Sequence, residues 1–251
     1  MSGHSKWHSI KHKKGAADAK RGKIFTKHAK LIAIAAQSGG DANMNPALRA
    51  AIDNSKADNM PSANIEKAIK KGTGEDKEGL TIFEVLYEGY GPAGTAILVE
   101  TLTDNKNRTV ASVKHAFSKN GGNMGAEGSV AWMFDKKGQI TIDVADKNHD
   151  EVELEAIDAG ADDLEFQDDL LIVYTDPNDL MAVKDVFLQK NYSVKSASLF
   201  YKPKNEVHIE TEADAQKVMK LIDALEDDDD VNEVYSNFTM GDDLLQLMSA
   251  A

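Results

Sequence analysis

The spacing of apolar residues divides the chain into a helical start and a longer mixed region. From Ala16 to Gln37 the apolar residues recur every three or four positions, with lysines on the opposite, solvent-facing side, and this period predicts an amphipathic helix. Asn45-Pro46 and Pro61 predict two further helix starts, because asparagine caps helices and proline suits a first turn. The glycine-rich, charged stretch Gly72–Gly79 then reads as a linker. The pattern therefore predicts a three-helix N-terminal domain.

Beyond the linker the apolar period becomes mixed, which predicts two α+β sets. The first set has the order β-β-α-β, with strands at Phe83–Tyr90, Thr95–Thr103 and Ser129–Phe134 and a helix at Asn105–Asn120. The second runs from Gln139 to Phe200 in the order β-α-β-β-α-β, which is typical of a ferredoxin-like unit. The strand-helix-strand segment after Pro203 has no partner unit of its own, so we expect it to return to the first set.

These patterns together predict an α+β multidomain fold. It consists of an N-terminal three-helix domain followed by two ferredoxin-like α+β domains, with the second inserted in the first. The expected bounds are 1–77 for the helical domain, 78–135 plus 204–251 for the discontinuous domain, and 136–203 for the inserted domain.

Composition narrows the functional classes. With 41% hydrophobic and 28% charged residues the chain is an ordinary globular protein, and its lack of cysteine excludes disulfides, thiolate nucleophiles and sulfur-ligated zinc. The N-terminus lacks the apolar core of an export signal, and no stretch is long enough for a bilayer span. We therefore expect a cytoplasmic protein with no membrane partner.

Charge is distributed unevenly along the chain. Residues 1–71 contain 14 Lys and Arg against 5 Asp and Glu, a net charge of +9, whereas residues 72–251 carry −22. A basic module is thus attached to an acidic remainder, even though the whole chain has a net charge of −13. Such a basic module favours a polyanionic partner, although a solvated basic helix surface is the alternative explanation.

No motif indicates catalysis or cofactor binding. Gly89–Gly94 fits the letters of a dinucleotide fingerprint, but a strand follows it where that motif requires a helix, so a turn between strands explains it. His4, His8 and His12 share a helical spacing, but the lysines between them disfavour a metal ion. The aspartate run 227–230 is expected to be a solvated loop. We predict a non-enzymatic protein with no cofactor, no metal and no small-molecule substrate.

Two groups of residues are candidates for binding nucleic acid. In the first, the lysines and Arg21 bind phosphates, while Trp7 either stacks on an unpaired base or packs the N-terminal arm. The second surrounds a predicted helix N-terminus that Thr103 or Asp104 caps, where backbone N–H groups attract phosphate. The first group is Lys6, Trp7, Lys11, Lys13, Lys14, Lys20, Arg21, Lys23 and Lys27, and the second is Lys106, Asn107 and Arg108.

Several stretches resemble the YebC/PmpR family. They are Gly3–Trp7, Asp18–Lys27, Tyr87–Pro92, Asp104–Thr109 and Phe117–Asn123. The resemblance covers nearly the whole chain and implies a helical N-terminal domain with two α+β domains, cytoplasmic in bacteria. It also implies a DNA-binding transcriptional regulator, or a ribosome-associated translation factor like other members of the family.

Three functions remain open at this point. They are a DNA-binding regulator, a binder of structured or ribosomal RNA that works with the ribosome, and a protein-interaction module that docks on an acidic partner. Residues 1–30 offer few apolar anchors for a protein partner, which favours nucleic acid. A lysine tract contacts the phosphate backbone and not base edges, so it does not choose between DNA and RNA.

Overall fold

The computed structural model describes residues 17–75, 82–241, 243–245 and 247, and these form two compact units. The first unit takes its described residues from 17–27, 82–135 and 203 onward. The second takes them from 28–75 and 136–202. Each unit is therefore assembled from separate stretches of the chain.

Three helices form the described part of the N-terminal region, as the apolar period predicts: α1 (Ala17–Ala36), α2 (Pro46–Ala57) and α3 (Ser62–Thr73). The side chain of Asn45 accepts the backbone N–H of Leu48 and so caps α2, as expected. Gly72 was expected to begin a linker but lies in the last turn of α3. A Cβ there would lie 2.2 Å from the carbonyl oxygen of Ala33, so the close approach of α3 to α1 requires glycine.

The remaining elements confirm the α+β class. In chain order they are β1 (Phe83–Tyr90), β2 (Ala96–Thr103), α4 (Lys106–Lys119), β3 (Asn123–Met124), β4 (Phe134–Asp143), α5 (His149–Asp158), β5 (Asp163–Gln167), β6 (Leu170–Thr175), α6 (Leu180–Gln189), β7 (Ser193–Pro203), β8 (Val207–Ile209), α7 (Glu212–Glu226), β9 (Val231–Ser236) and β10 (Phe238–Met240).

The sheet of the first unit has the strand order β3-β1-β2-β9, with antiparallel neighbours. Because β9 pairs with β2, the chain returns to this sheet after residue 203. Helices α4 and α7 contribute Phe117 and Leu221 to a core that also includes Ile97 of β2. The Gly89–Gly94 stretch joins β1 to β2 through a 3-10 turn and opens no helix, which confirms the turn interpretation.

The sheet of the second unit has the order β5-β6-β4-β7, and its elements follow the predicted β-α-β-β-α-β succession. Its core includes Ile140 of β4, Val173 of β6 and Phe187 of α6, all fully buried. Strands β4 and β5 alternate apolar and polar positions, so one face packs on the two helices, whereas the central strand β6 is buried along nearly its whole length.

Helix α2 joins the helical region to the second unit's sheet through polar contacts. Lys184 of α6 has a buried side chain whose Nζ lies 2.7 Å from Asp53 Oδ2. The Asn54 amide donates to the carbonyl of Ala197 on β7 at 2.8 Å and accepts its N–H at 3.2 Å. These contacts fix α2 against α6 and the β7 edge.

Residues 129–134 were expected to form a strand, but they form a 3-10 turn at Ala131–Met133 that leads into β4. The buried Glu88 carboxylate on β1 accepts backbone N–H groups of Gly128, Val130 and Ala131 at 2.6–2.7 Å. These amides are therefore unavailable for hydrogen bonds to a neighbouring strand. The side-chain pattern of the sequence does not show that Glu88 binds them.

Candidate nucleic-acid interface

Most of the predicted N-terminal tract cannot be placed in the fold. Lys6, Trp7, Lys11, Lys13 and Lys14 lie outside the described residues. Lys20 and Arg21 lie in the first two turns of α1, and their phosphate contacts stay predictions.

Lys23 and Lys27 of α1 belong to the first unit and make contacts within it. Lys23 Nζ donates to the Asp227 carbonyl at 3.1 Å and lies 3.4 Å from its Oδ1, while Lys27 Nζ donates to the Asn232 carbonyl at 3.0 Å. The helical period predicted that both lysines would lie on a solvent-facing stripe. Lys23 is exposed as predicted, although it contacts the segment that joins α7 to β9. Lys27 is half-buried against β9, so for Lys27 the prediction is wrong.

Lys27 also acts on Glu233, a half-buried residue of β9. Burial raises the pKa of Glu233 to about 7, and the charge of Glu226 acts in the same direction. Lys27 opposes this rise, as does the backbone N–H of Val234. Lys27 therefore serves as a counter-charge within the first unit.

The N-terminus of α4 is capped by Asn105 and not by Thr103 or Asp104. Asn105 Oδ1 accepts the backbone N–H of Arg108 at 3.1 Å. The Arg108 guanidinium lies 2.7 Å from Asp230 Oδ2 and 2.8 Å from Asp104 Oδ1, and the hydrogen bond to Asp230 is the main cause of its raised pKa. Two carboxylates thus neutralise the cation that was expected to bind phosphate.

Asp230 is the centre of this network. It is only 7% exposed, and its Oδ2 also accepts the hydroxyls of Thr109 at 2.9 Å and Thr103 at 3.3 Å, both fully buried. The aspartate run was expected to be a solvated loop, and for Asp230 that expectation is wrong. A buried carboxylate needs donors, and three converge on it here.

Lys106 and Asn107 also lie in the first turn of α4. The Lys106 ammonium stands 4.3 Å from the centre of the Phe83 ring, a cation–π contact. With Arg108 bound to Asp104 and Asp230, the helix end offers weaker attraction to phosphate than the sequence indicated. Contacts of nucleic acid with Lys106 and Asn107 stay a prediction.

Helix α3 carries a basic face that was not among the residues predicted from the sequence. Lys67, Lys70 and Lys71 are spaced by three and four residues and therefore lie on one side of the helix. Lys67 and Lys70 are exposed. Across the described ranges, no carboxylate lies within 4.0 Å of any of these three ammonium groups. The Lys-x-x-Lys-Lys spacing was the signal that would have identified them. We call these three residues the α3 lysines.

Other possible binding features of the first unit are less selective. An open groove of about 540 Å³ lies between α4 and α7, and its charged lining mixes both signs: His115, Lys119, Lys220, Asp223, Asp227 and Asp228. Such a lining has no preference for a polyanion.

In the part of the chain that the structure describes, no three His, Asp or Glu side chains group into a cation site. None of the described helices combines the length and the apolar character that crossing a bilayer requires.

Relatives that match the chain over nearly its full length are named probable transcriptional regulatory proteins. A probable transcriptional regulatory protein of Halothermothrix orenii is 49% identical over 98% of both chains, and one of Trichlorobacter lovleyi is 51% identical over 99% of this chain and 100% of its own length. The crystal structure of a conserved hypothetical protein from Aquifex aeolicus superposes with a TM-score of 0.87 at 44% identity, covering 93% of this chain and 96% of that one.

Family models match both parts of the sequence. The model of the TACO1/YebC N-terminal domain matches residues 5–75, and that of the TACO1/YebC second and third domain matches residues 82–238. The resemblance noted from the sequence motifs is thereby confirmed. The chain belongs to the TACO1/YebC family.

Proposed function

We propose that this protein is a non-catalytic regulator of gene expression that binds nucleic acid through the phosphate backbone. The observation that carries the proposal is the charge of the helical region, +9 over residues 1–71, together with the α3 lysines, which have no carboxylate partner among the described residues. Lysines in this arrangement neutralise phosphates and release counterions. The name of the relatives, probable transcriptional regulatory protein, supports a regulatory role.

We propose two phosphate-binding segments, each taken by itself: the α3 lysines of the second unit, and the sequence tract from Lys6 to Arg21. Lys23, Lys27 and Arg108 contribute less, because each is already bound to a carboxylate or a backbone carbonyl of the first unit. The net charge of −22 on the remainder disfavours phosphate over most of its surface, so the helical region supplies most of the phosphate contacts. From the resemblance to the TACO1/YebC family we also propose a cytoplasmic location.

The proposal is tested by the salt dependence of binding. Replacement of Lys67, Lys70 and Lys71 by Ala should flatten the slope of log K against log salt by about 0.7–0.9 for each phosphate that is no longer neutralised. Replacement of Lys114, Lys119 and Lys220 by Ala removes the same charge from exposed positions of the first unit and is the matched control. Equal slopes for the two triple variants would contradict the proposal.

The second candidate function is a ribosome- or RNA-associated translation factor. It is favoured by the α3 lysines themselves, because a lysine ammonium acts on phosphates as a point charge and lacks the planar fork of arginine. We expect less than about tenfold discrimination between a promoter duplex and a scrambled duplex at physiological salt. Competition among promoter DNA, scrambled DNA and ribosomal RNA fragments at one salt concentration separates the two functions. A promoter preference near a thousandfold would restore sequence-specific transcriptional control.

A further inference from the structure

The exposed apolar surface differs in kind between the two units. In the first unit, the large apolar side chains that are exposed among the described residues are Phe83, Tyr90, Trp132 and Leu247. In the second unit they are Met44, Leu154, Ile157, Leu188 and Leu199. In these described parts, the first unit exposes aromatic rings with a single aliphatic companion, whereas the second exposes aliphatic side chains alone.

Tyr90 and Trp132 meet at one backbone atom. The Tyr90 hydroxyl and the Trp132 indole N–H each donate to the carbonyl oxygen of Ser129, both at 3.1 Å. Trp132 is nevertheless 61% exposed and Tyr90 39% exposed. The polar group of each ring is satisfied within the protein, so what faces the solvent is mainly ring carbon. We call these two residues the aromatic pair.

The turn that carries Trp132 is held in place before any partner arrives. Glu88 lies two residues before Tyr90 on β1 and therefore on the same side of the strand. Burial opposes the ionisation of Glu88, but the N–H groups of Gly128, Val130 and Ala131 outweigh it and keep the pKa of its carboxyl below the ordinary value. The carboxylate therefore fixes the backbone on both sides of Ser129, and the rings lose little freedom on binding.

A cation lies beside the aromatic pair. The backbone N–H of Lys204 donates to the carbonyl of Met133 at 2.9 Å, which places Lys204 next to the turn that carries Trp132. Its ammonium group is 3.1 Å from Asp135 Oδ1, with both side chains about half exposed. An exposed pair of this kind contributes little to stability, so the lysine can exchange Asp135 for a phosphate at small cost.

We infer that the aromatic pair binds an unpaired base of a single-stranded nucleic acid by stacking, with Lys204 at an adjacent phosphate. The inference rests on the proposed function and names the part of the partner that this surface recognises. Exposed rings beside a cation suit bases, because every base has an aromatic face. A protein partner would favour more exposed apolar side chains than the four that the described part of the first unit shows.

The test uses the full chain and its tryptophan fluorescence. The chain has two tryptophans, so Trp7→Phe leaves Trp132 as the sole reporter. The probes are a short single-stranded oligoadenylate and an abasic ribose-phosphate chain of equal length, whose binding is followed separately by anisotropy. Both probes should bind through contacts between lysines and phosphates, but only the oligoadenylate should quench the fluorescence of Trp132. In the native background, Trp132→Ala should weaken oligoadenylate binding about tenfold, and Trp132→Phe should retain most of the affinity.

The outcomes separate this inference from the proposed function. Binding of oligoadenylate without quenching would overturn the inference, leave phosphate binding intact and point to a protein as the partner of the aromatic pair. An equal loss of affinity for the abasic chain in Trp132→Ala would also overturn it, because the ring would then act only on structure. If neither probe binds, the proposed function fails and the inference fails with it.

Discussion

The lysines of α1 and those of α3 look alike in the sequence but lie in different surroundings. Lys23 and Lys27 are bound to Asp227 and Asn232, whereas the α3 lysines have no carboxylate within ion-pair distance in the described residues. A lysine that already makes an internal contact gains less from a phosphate, since that contact must first be broken. Positive charge counted along a chain therefore overestimates the charge that a partner meets.

Lys184 is the extreme case of an engaged lysine, and breaking its pair should have the largest effect. Asp53→Ala leaves a buried ammonium group without its partner and should lower the free energy of unfolding by about 3 kcal/mol. Urea unfolding followed by circular dichroism measures the change. Adding Lys184→Met should recover most of the loss, because the buried charge is then removed. A cost near that of an exposed pair would show that Lys184 is not held by Asp53.

Arg108 is engaged through Asp230, and the next largest effect is expected there. Asp230→Ala deprives the buried hydroxyls of Thr103 and Thr109 of an acceptor, so we expect a loss of about 2 kcal/mol in urea unfolding. Asp227→Ala removes an exposed carboxylate of the same segment and should cost about 0.5 kcal/mol or less. Similar costs for the two variants would mean that Asp230 does not organise the start of α4.

The raised pKa of Glu233, which Lys27 opposes, can be tested through the pH dependence of stability. Its folded pKa of about 7 exceeds its ordinary value of 4.5, so the protonated form stabilises the fold and this contribution is lost as pH rises from 4.5 through 7. In Glu233→Gln this loss should disappear, and melting temperatures measured from about pH 5 to pH 8 detect it. Glu88 should act in the opposite direction at lower pH: its lowered pKa adds stability that wild type loses as pH falls below 4.5, and Glu88→Gln should remove that loss. Parallel pH profiles for wild type and Glu233→Gln would contradict the assignment.

The smallest effect is expected at the engaged lysines of α1. Lys23→Ala should change stability by about 0.5 kcal/mol or less, because its pair with Asp227 is largely exposed to water. Lys27→Ala should cost about 1 kcal/mol or less, because it removes one part-buried hydrogen bond. The double variant should also leave the salt slope of nucleic-acid binding nearly unchanged, in contrast to replacement of the α3 lysines. A slope flattened as much by the α1 pair would remove the distinction between the two helices.

The elements of the fold were predictable because their signals are local. The period around Leu48, the cap at Asn45 and the β-α-β-β-α-β succession each depend on residues close in sequence. The failures share a different cause. Glu88 reaches 40 residues ahead to bind Gly128, and Asp230 binds Arg108 across 122 residues, so neither contact leaves a local pattern. Of the candidate site, the sequence predicted the basic region but not which of its lysines are paired.

The contact between Asn54 and Ala197 has a consequence for solubility. Strand β7 lies at the edge of the second unit's sheet, where an unpaired backbone can recruit a strand from another molecule. The side-chain amide of Asn54 occupies both the N–H and the carbonyl of Ala197, as one residue of an additional strand would. A helix thereby blocks one residue of this edge with a single side chain. Loss of that side chain would free the N–H and the carbonyl of Ala197 to pair with a strand of another molecule, and so favour edge-to-edge aggregation.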